Sequence, residues 1–198
     1  MDNMSLLKSS NGYTNVSLDA RLLLNRVIYI DDKEISGELT ANVVKKIMIL
    51  RREDSKKLIT IIIDSLGGDV KEGMVLYDLL QTCNTPIRIV VAGRAYSMAA
   101  VLLAAGRYGR YMLKHSEIMI HQPHLGNAVT GSCSSIRSLS ERMNKEEALI
   151  NQLLAKHTGK TVKQIEKDTG YDHFLDAEEA VSFNLCDGII GFDEIMEV

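Results

Sequence analysis

The sequence has little that would send it to a membrane, a nucleic acid or an oxidising compartment. Its net charge is −3, from 23 basic and 26 acidic residues, so no basic field marks it for nucleic acid or anionic lipid. The longest strongly apolar run, Met98 to Ala105, is far too short to cross a bilayer. Ahead of Leu6 and Leu7 there is no charged stretch of the kind a secretory signal needs. Cysteine occurs three times, at Cys83, Cys133 and Cys186. An odd number at wide spacing suits neither a disulfide framework nor a metal site, and fits reduced thiols in the cytoplasm. With only Pro86 and Pro123 there is no Pro-rich linker, and no repeat or low-complexity segment occurs. What remains is a 198-residue chain, 45% hydrophobic and 25% charged, suited to one globular domain with a substantial core.

Apolar spacing predicts strands and helices in alternation. Met1 to Tyr13 shows no such spacing and reads as a mobile segment. Ser17 to Leu24 reads as a short helix and Val27 to Ile30 as a strand. Leu39, Val43, Ile47 and Leu50 recur at the helical period within Glu38 to Arg52. Leu58 to Ile63 is β-branched on both faces, as a doubly covered strand should be. Val70 to Thr82 reads as a helix. Ile87 to Ala92 reads as a buried strand, followed by a glycine turn at Gly93 and a buried helix over Met98 to Ala105. Glu117 to His121 is a strand stopped at Pro123. His124 to Ser134 reads as a loop or irregular strand. Ser135 to His157 is the longest helical pattern and ends at Gly159. Two short helices follow, Thr161 to Lys167 and Ala177 to Phe183, the second capped by Asp176 with Glu179 at capping-box spacing. This alternation predicts an α/β fold with a mainly parallel sheet.

In such sheets ligands bind at the carboxyl ends of strands, and two glycine-bearing turns fall there, Gly67-Gly68 and Gly93 to Ser97. Ser97 stands where a strand meets a helix whose first N–H groups have no helical partner. That place suits a nucleophile whose attack creates an oxyanion, although the stretch by itself is read first as a helix cap. Gly68, with no side chain, lets its N–H approach a substrate carbonyl, and the N–H of Met98 would be a second donor. A Gly-Gly pair alone equally suits a tight turn, and no phosphate-binding Gly-x-x-x-x-Gly-Lys motif follows it. Among five histidines, His115, His124, His157 and His173 sit in polar surroundings and read as surface residues. His121 leaves an apolar strand, which suits either a base or a satisfied core histidine. Between Asp168 and Asp176, Asp172 is the carboxylate that a turn could present to an imidazole N–H.

From about Asn11 onward the sequence resembles the proteolytic subunits of the Clp protease family (ClpP). Asp64-Ser65-Leu66-Gly67-Gly68 is similar to the family's Asn-Ser-Pro-Gly-Gly, and Gly93 to Met98 with Leu102 to Gly106 is similar to its nucleophile segment. Glu117 to Pro123 resembles its histidine segment, and Asp168 to Leu175 with Ala177 to Ala180 its aspartate segment. The resemblance implies a ClpP/crotonase-like fold of repeated β-β-α units with a protruding handle helix near 135–157. It implies an N-terminal axial segment over 1–16 and one protease domain over 17–198. Ser97 would be the nucleophile, His121 the base, Asp172 its orienting partner, and the N–H groups of Gly68 and Met98 the oxyanion donors. The activity implied is serine endopeptidase cleavage of unfolded polypeptides and short peptides through an acyl-enzyme, with no metal or cofactor in this chain. Two stacked heptameric rings, a tetradecamer, would enclose the sites, and an AAA+ unfoldase would use ATP to feed them in the cytoplasm.

The chain departs from the family at several positions. Leu66 replaces a proline, and Tyr96 replaces a small residue before the serine, where its bulk would narrow the cleft or shift Ser97. Ser97 and His121 are 24 positions apart, one fewer than usual, with the shortening expected near Lys114-His115 and a compensating residue in Gln122 to Asn127. Thr60, Ile62 and Thr82 match positions of the family's aromatic docking pocket, so weak or indirect unfoldase docking is expected, in a barrel shared with a ClpP paralogue. A low-activity structural subunit of a mixed barrel is the alternative function. A crotonase-like acyl-CoA enzyme, which shares the fold but does not require the three side chains together, is a more remote one.

Overall fold

The computed structural model describes residues 4–10, 12–31, 34–126 and 128–195. It opens on an antiparallel hairpin of β1 (Met4–Ser9) and β2 (Gly12–Ser17), where the sequence reading assigned no element. The side chains of β2 are nearly all exposed, so backbone pairing, not an apolar face, defines these strands. Helix α1 (Leu18–Leu24) follows, capped by the Ser17 hydroxyl, which accepts from the N–H of Ala20.

The main sheet runs in the order β3 (Val27–Asp31), β4 (Ile59–Ser65), β5 (Ile87–Tyr96), β6 (Arg110–Leu113) and β9 (Gly188–Ile190), all neighbours parallel. Strand β4 is buried at six of its seven positions, as its β-branched run predicts. Helices α2 (Gly37–Glu53), α3 (Val70–Thr82) and α4 (Met98–Ala104) supply the principal core with the sheet. Every residue of α4 is buried, which explains why its composition is apolar all round.

β5 does not end at a glycine turn after Ala92, as expected; it continues to Tyr96. Its register against β4 shifts between Ile63 and Ser65, so the chain bulges at Gly93 and then resumes pairing. Gly93 has φ +136°, and a Cβ there would lie 2.7 Å from the Asp64 carboxylate. Asp64 and Ser116 take up the bonds that the bulge releases. Asp64 Oδ1 accepts from both the N–H and Nε of Arg94, and Ser116 Oγ accepts from the N–H of Gly93 while donating to Val91 O. The bulge splits β5 between two partners. Its first part pairs β6, and Arg94 to Tyr96 pair β7 (Glu117–Ile120), which in turn pairs the antiparallel β8 (His173–Leu175).

The longest helix, α5 (Cys133–Thr158), has most of Cys133 to Leu149 exposed and is buried only from Ile150 on, so its outer part stands away from the core. Its end is closed by Gly159 in the left-handed conformation. α6 (Val162–Asp168) and α7 (Ala177–Ser182) both carry complete capping boxes, from Thr161–Gln164 and Asp176–Glu179. A second, smaller cluster on the sheet joins Val27, Ile62, Val90 and Ile195, with the half-buried Tyr29 and Tyr111 against it. All three cysteines are free, Cys83 and Cys186 buried and Cys133 exposed. Among the described residues no helix is long and apolar enough to cross a membrane.

Candidate active site

Three strand ends meet at one point because of their pairing. Tyr96 pairs Met119 across β5 and β7, and the N–H of Ser97 continues the ladder by donating to Met119 O at 2.7 Å. Across β7 and β8, Ile120 pairs His173, so His121 and Asp172 face each other on the next rung. The side chains complete the line. Ser97 Oγ lies 2.8 Å from His121 Nε2, and His121 Nδ1 lies 3.1 Å from Asp172 Oδ1. With the ring proton on Nδ1, facing the carboxylate, Nε2 is free to accept from the serine hydroxyl.

Ser97 holds the N-cap position of α4, its carbonyl accepting from the N–H of Ala100, but its side chain does not cap the helix; the hydroxyl makes no bond there and lies against the imidazole. The reading of this hydroxyl as a helix cap is thereby corrected. The backbone at Ser97 has φ 54° and ψ −121°, a region that favours glycine. Gly67 fits beneath this turn with φ +93°, and a Cβ on it would lie 2.8 Å from Ser97 Cβ and 2.7 Å from Tyr96 O. Gly73 plays a similar part in α3, where a Cβ would lie 2.2 Å from Met98 Cγ, so the start of α4 seats Met98 in the notch. Gly68 has φ +150°, and a Cβ on it would lie 2.5 Å from Ile35 N. The bridge beside it uses the carbonyl of Gly67 and the N–H of Asp69. Among the described residues neither the Gly68 nor the Met98 N–H has an acceptor, and Gly68 lines the same cleft as Ser97 and His121.

Burial pulls the His121 pKa below its usual 6.5, while the hydrogen bond that Nδ1 donates to Asp172 opposes that and the neighbouring His124 adds to it. The imidazole is therefore neutral near pH 7 and able to take a proton. The cleft also meets an apolar cavity beside the serine, lined by Val70, Met98, Val101, Ile120, Ile150 and Leu154.

The Clp protease family profile matches residues 10–193. The ATP-dependent Clp protease proteolytic subunit of Ligilactobacillus salivarius (strain UCC118) is 39% identical over 184 residues, 92% of each chain. This chain belongs to the Clp protease family. Its enzyme class is accordingly that of a serine endopeptidase, and the acyl-CoA alternative is set aside.

Within this Clp-family chain the departures resolve locally. Leu66 is exposed, and the turn is closed by Ser65 Oγ accepting from the Gly67 N–H at 3.2 Å. Between Ser97 and His121 the chain makes a tight turn at Lys114-His115, where the N–H of Ser116 donates to Leu113 O. Tyr96 does line the cleft, yet Ser97 remains in reach of His121. Sequence reasoning missed two neighbours of the site. The Tyr96 hydroxyl donates to Glu117 Oε1. The His124 ring, exposed as expected, stacks edge-on against His121 with centroids 4.8 Å apart. His157 is not the surface residue expected; it is half-buried and bonded to the Tyr77 hydroxyl at 2.9 Å.

Proposed function

We propose that this chain is the peptide-cleaving subunit of a self-enclosed Clp protease, with Ser97 as nucleophile, His121 as general base and Asp172 as the group that orients it. The continuous hydrogen-bonded line from Ser97 through His121 to Asp172 carries the reading. As Ser97 Oγ attacks the scissile carbonyl, its proton passes to His121 Nε2, and Asp172 stabilises the resulting imidazolium. The N–H groups of Gly68 and Met98 take the oxyanion, each such donor being worth roughly 2.7–4 kcal/mol in the transition state. His121 then gives its proton to the leaving amine, and water hydrolyses the acyl-Ser97 ester by the same base. The apolar lining beside Ser97 favours apolar over charged substrate groups next to the scissile bond. This chemistry draws on no metal or cofactor.

Assembly follows as part of the proposal. The exposed stretch of α5 from Cys133 to Leu149 carries Ile136 and Leu149, 46% and 37% exposed, and would pack against a second copy of the handle between two heptameric rings. An AAA+ unfoldase would spend ATP to deliver unfolded chains, with weak or indirect docking at the face around Thr60, Ile62 and Thr82, in a barrel that a paralogue completes. A phosphonylating probe tests the chemistry. Ser97 labels, Ser97→Ala does not, and the labelling rate falls on acidification through a midpoint below pH 6.5. Undiminished labelling or peptide hydrolysis by Ser97→Ala removes the reading. Labelling that appears only after a paralogue is added favours the mixed barrel.

A further inference from the structure

We propose that Tyr96 is a positioning residue that holds the Asp172 strand in place, and so acts on Ser97 chemistry through Asp172; the proposal rests on the triad reading above. The side chain of Asp172 is 62% exposed and is bonded to His121. Its position is set by β8, a strand of three residues that among the described residues pairs β7 alone. So short an edge has little of its own to fix it. Tyr96, Met119 and Phe174 occupy one rung across β5, β7 and β8, and residues paired across a sheet share a face. The Tyr96 ring meets Phe174 edge to face, with centroids 5.7 Å apart at 83°. Phe174 is otherwise half open to solvent and lies two residues from Asp172. At its other end the Tyr96 ring is anchored to β7, because its hydroxyl donates to Glu117. Burial, reinforced by Glu117, pushes the Tyr96 hydroxyl up to about 12, so the donor keeps its proton throughout the working pH range. The residue directly before the nucleophile thus ties the nucleophile strand to the strand that presents the carboxylate. A small residue at 96 would make neither contact.

The test is a double-mutant cycle on the assembled full-length protein, read as the rate of Ser97 labelling by a fluorophosphonate. Tyr96→Leu is expected to slow labelling about tenfold in the parent and less than about twofold in Asp172→Asn, because contacting residues couple and a misplaced carboxylate matters only where there is one. Tyr96→Leu also moves the acid limb of the pH–rate profile downward, the direction given by Asp172→Asn, since Asp172 is what raises the His121 pKa. Tyr96→Phe keeps the ring against Phe174 and recovers part of the loss, leaving about a threefold deficit in the parent and none in Asp172→Asn. Where Tyr96→Leu does not assemble, the Tyr96→Phe cycle decides alone. Equal fold losses in both backgrounds, or no loss in the parent, overturn the proposal. Asp172→Asn labelling at the parent rate is a separate result; it overturns the orienting role of Asp172 itself.

Discussion

Ser97 sits in a conformation that L-residues avoid, with φ 54° and ψ −121°. Backbone of this kind costs roughly 1–3 kcal/mol and persists because the surroundings enforce it. Gly67 lies too close beneath for the turn to relax, and the N–H of Ser97 is held by Met119 O. The strain is relieved by glycine at 97, less the 0.5–1 kcal/mol or so that glycine's extra freedom in the unfolded chain costs. Ser97→Gly is therefore expected to unfold at higher denaturant than Ser97→Ala, by about 1 kcal/mol, both being inactive. An equal or lower midpoint for Ser97→Gly means that position 97 is unstrained. Ser97, His121 and Asp172 stood out in the sequence only as candidates beside strand and turn signals, and it was the resemblance to the family that gave them roles. Their neighbours did not stand out. Tyr96 and Glu117 are 21 residues apart and meet only through the β5–β7 register, which a single sequence does not display.

The helices were legible because their signals are local: a 3.6-residue apolar period, a capping side chain, a glycine stop. The α3 boundaries coincide with those expected, Val70 to Thr82, and the capping box at Asp176–Glu179 forms as spaced. Strands β6, β8 and β9 went unread because three or four residues carry no periodicity to speak of. β6 even begins on an arginine. Arg110 is buried there because Asp187 and Asn184, over seventy residues away, take its guanidinium. The same arginine reaches the junction of α3, α5 and β6, where His157 sits. Lys156 Nζ donates to the Tyr77 hydroxyl, whose own proton turns to His157 Nε2, so the imidazole is neutral there. Burial, with the charges of Lys156 and Arg110, holds its pKa down to about 4. Unfolded, the same histidine takes up a proton near 6.5. Between these values the unfolded chain binds the extra proton, so this contribution to stability is complete above pH 6.5 and is lost as pH falls toward 4. His157→Gln, which cannot titrate, is expected to flatten the fall in unfolding midpoint over that interval, measured at fixed protein concentration. Parallel profiles for the two proteins refute the linkage.

At the scale of the molecule, a core around α4 holds the site on one part of the sheet, and the smaller Val27–Ile62–Val90–Ile195 cluster lies on another. The first was legible as long apolar runs; the second was not, because it is assembled from α1, five strands and the turn at Asp193–Ile195. Its make-up bears on the proposed unfoldase contact. Thr60 and Ile62 are 2% and 5% exposed. Arg88 Nε donates to Thr60 Oγ1, and a second Arg88 nitrogen donates to Ile195 O, so the C-terminal turn is tied down over this face. Two of the three expected docking positions therefore offer a partner almost no surface, beyond lacking rings. The two aromatics packed against the cluster, Tyr29 and Tyr111, are half-buried. Interface anchors are typically aromatic side chains that bury 150–250 Å² each, roughly, and rings already packed into the cluster have little of that to give. A homomeric particle of this chain is thus expected to bind a purified Clp unfoldase more weakly than about 1 μM, the level that corresponds to about −8.2 kcal/mol. Adding a paralogue whose ring presents free aromatics should restore tight binding in the same titration. A micromolar or tighter constant for the homomer places the contact on surfaces other than these positions and removes the argument for a second ring.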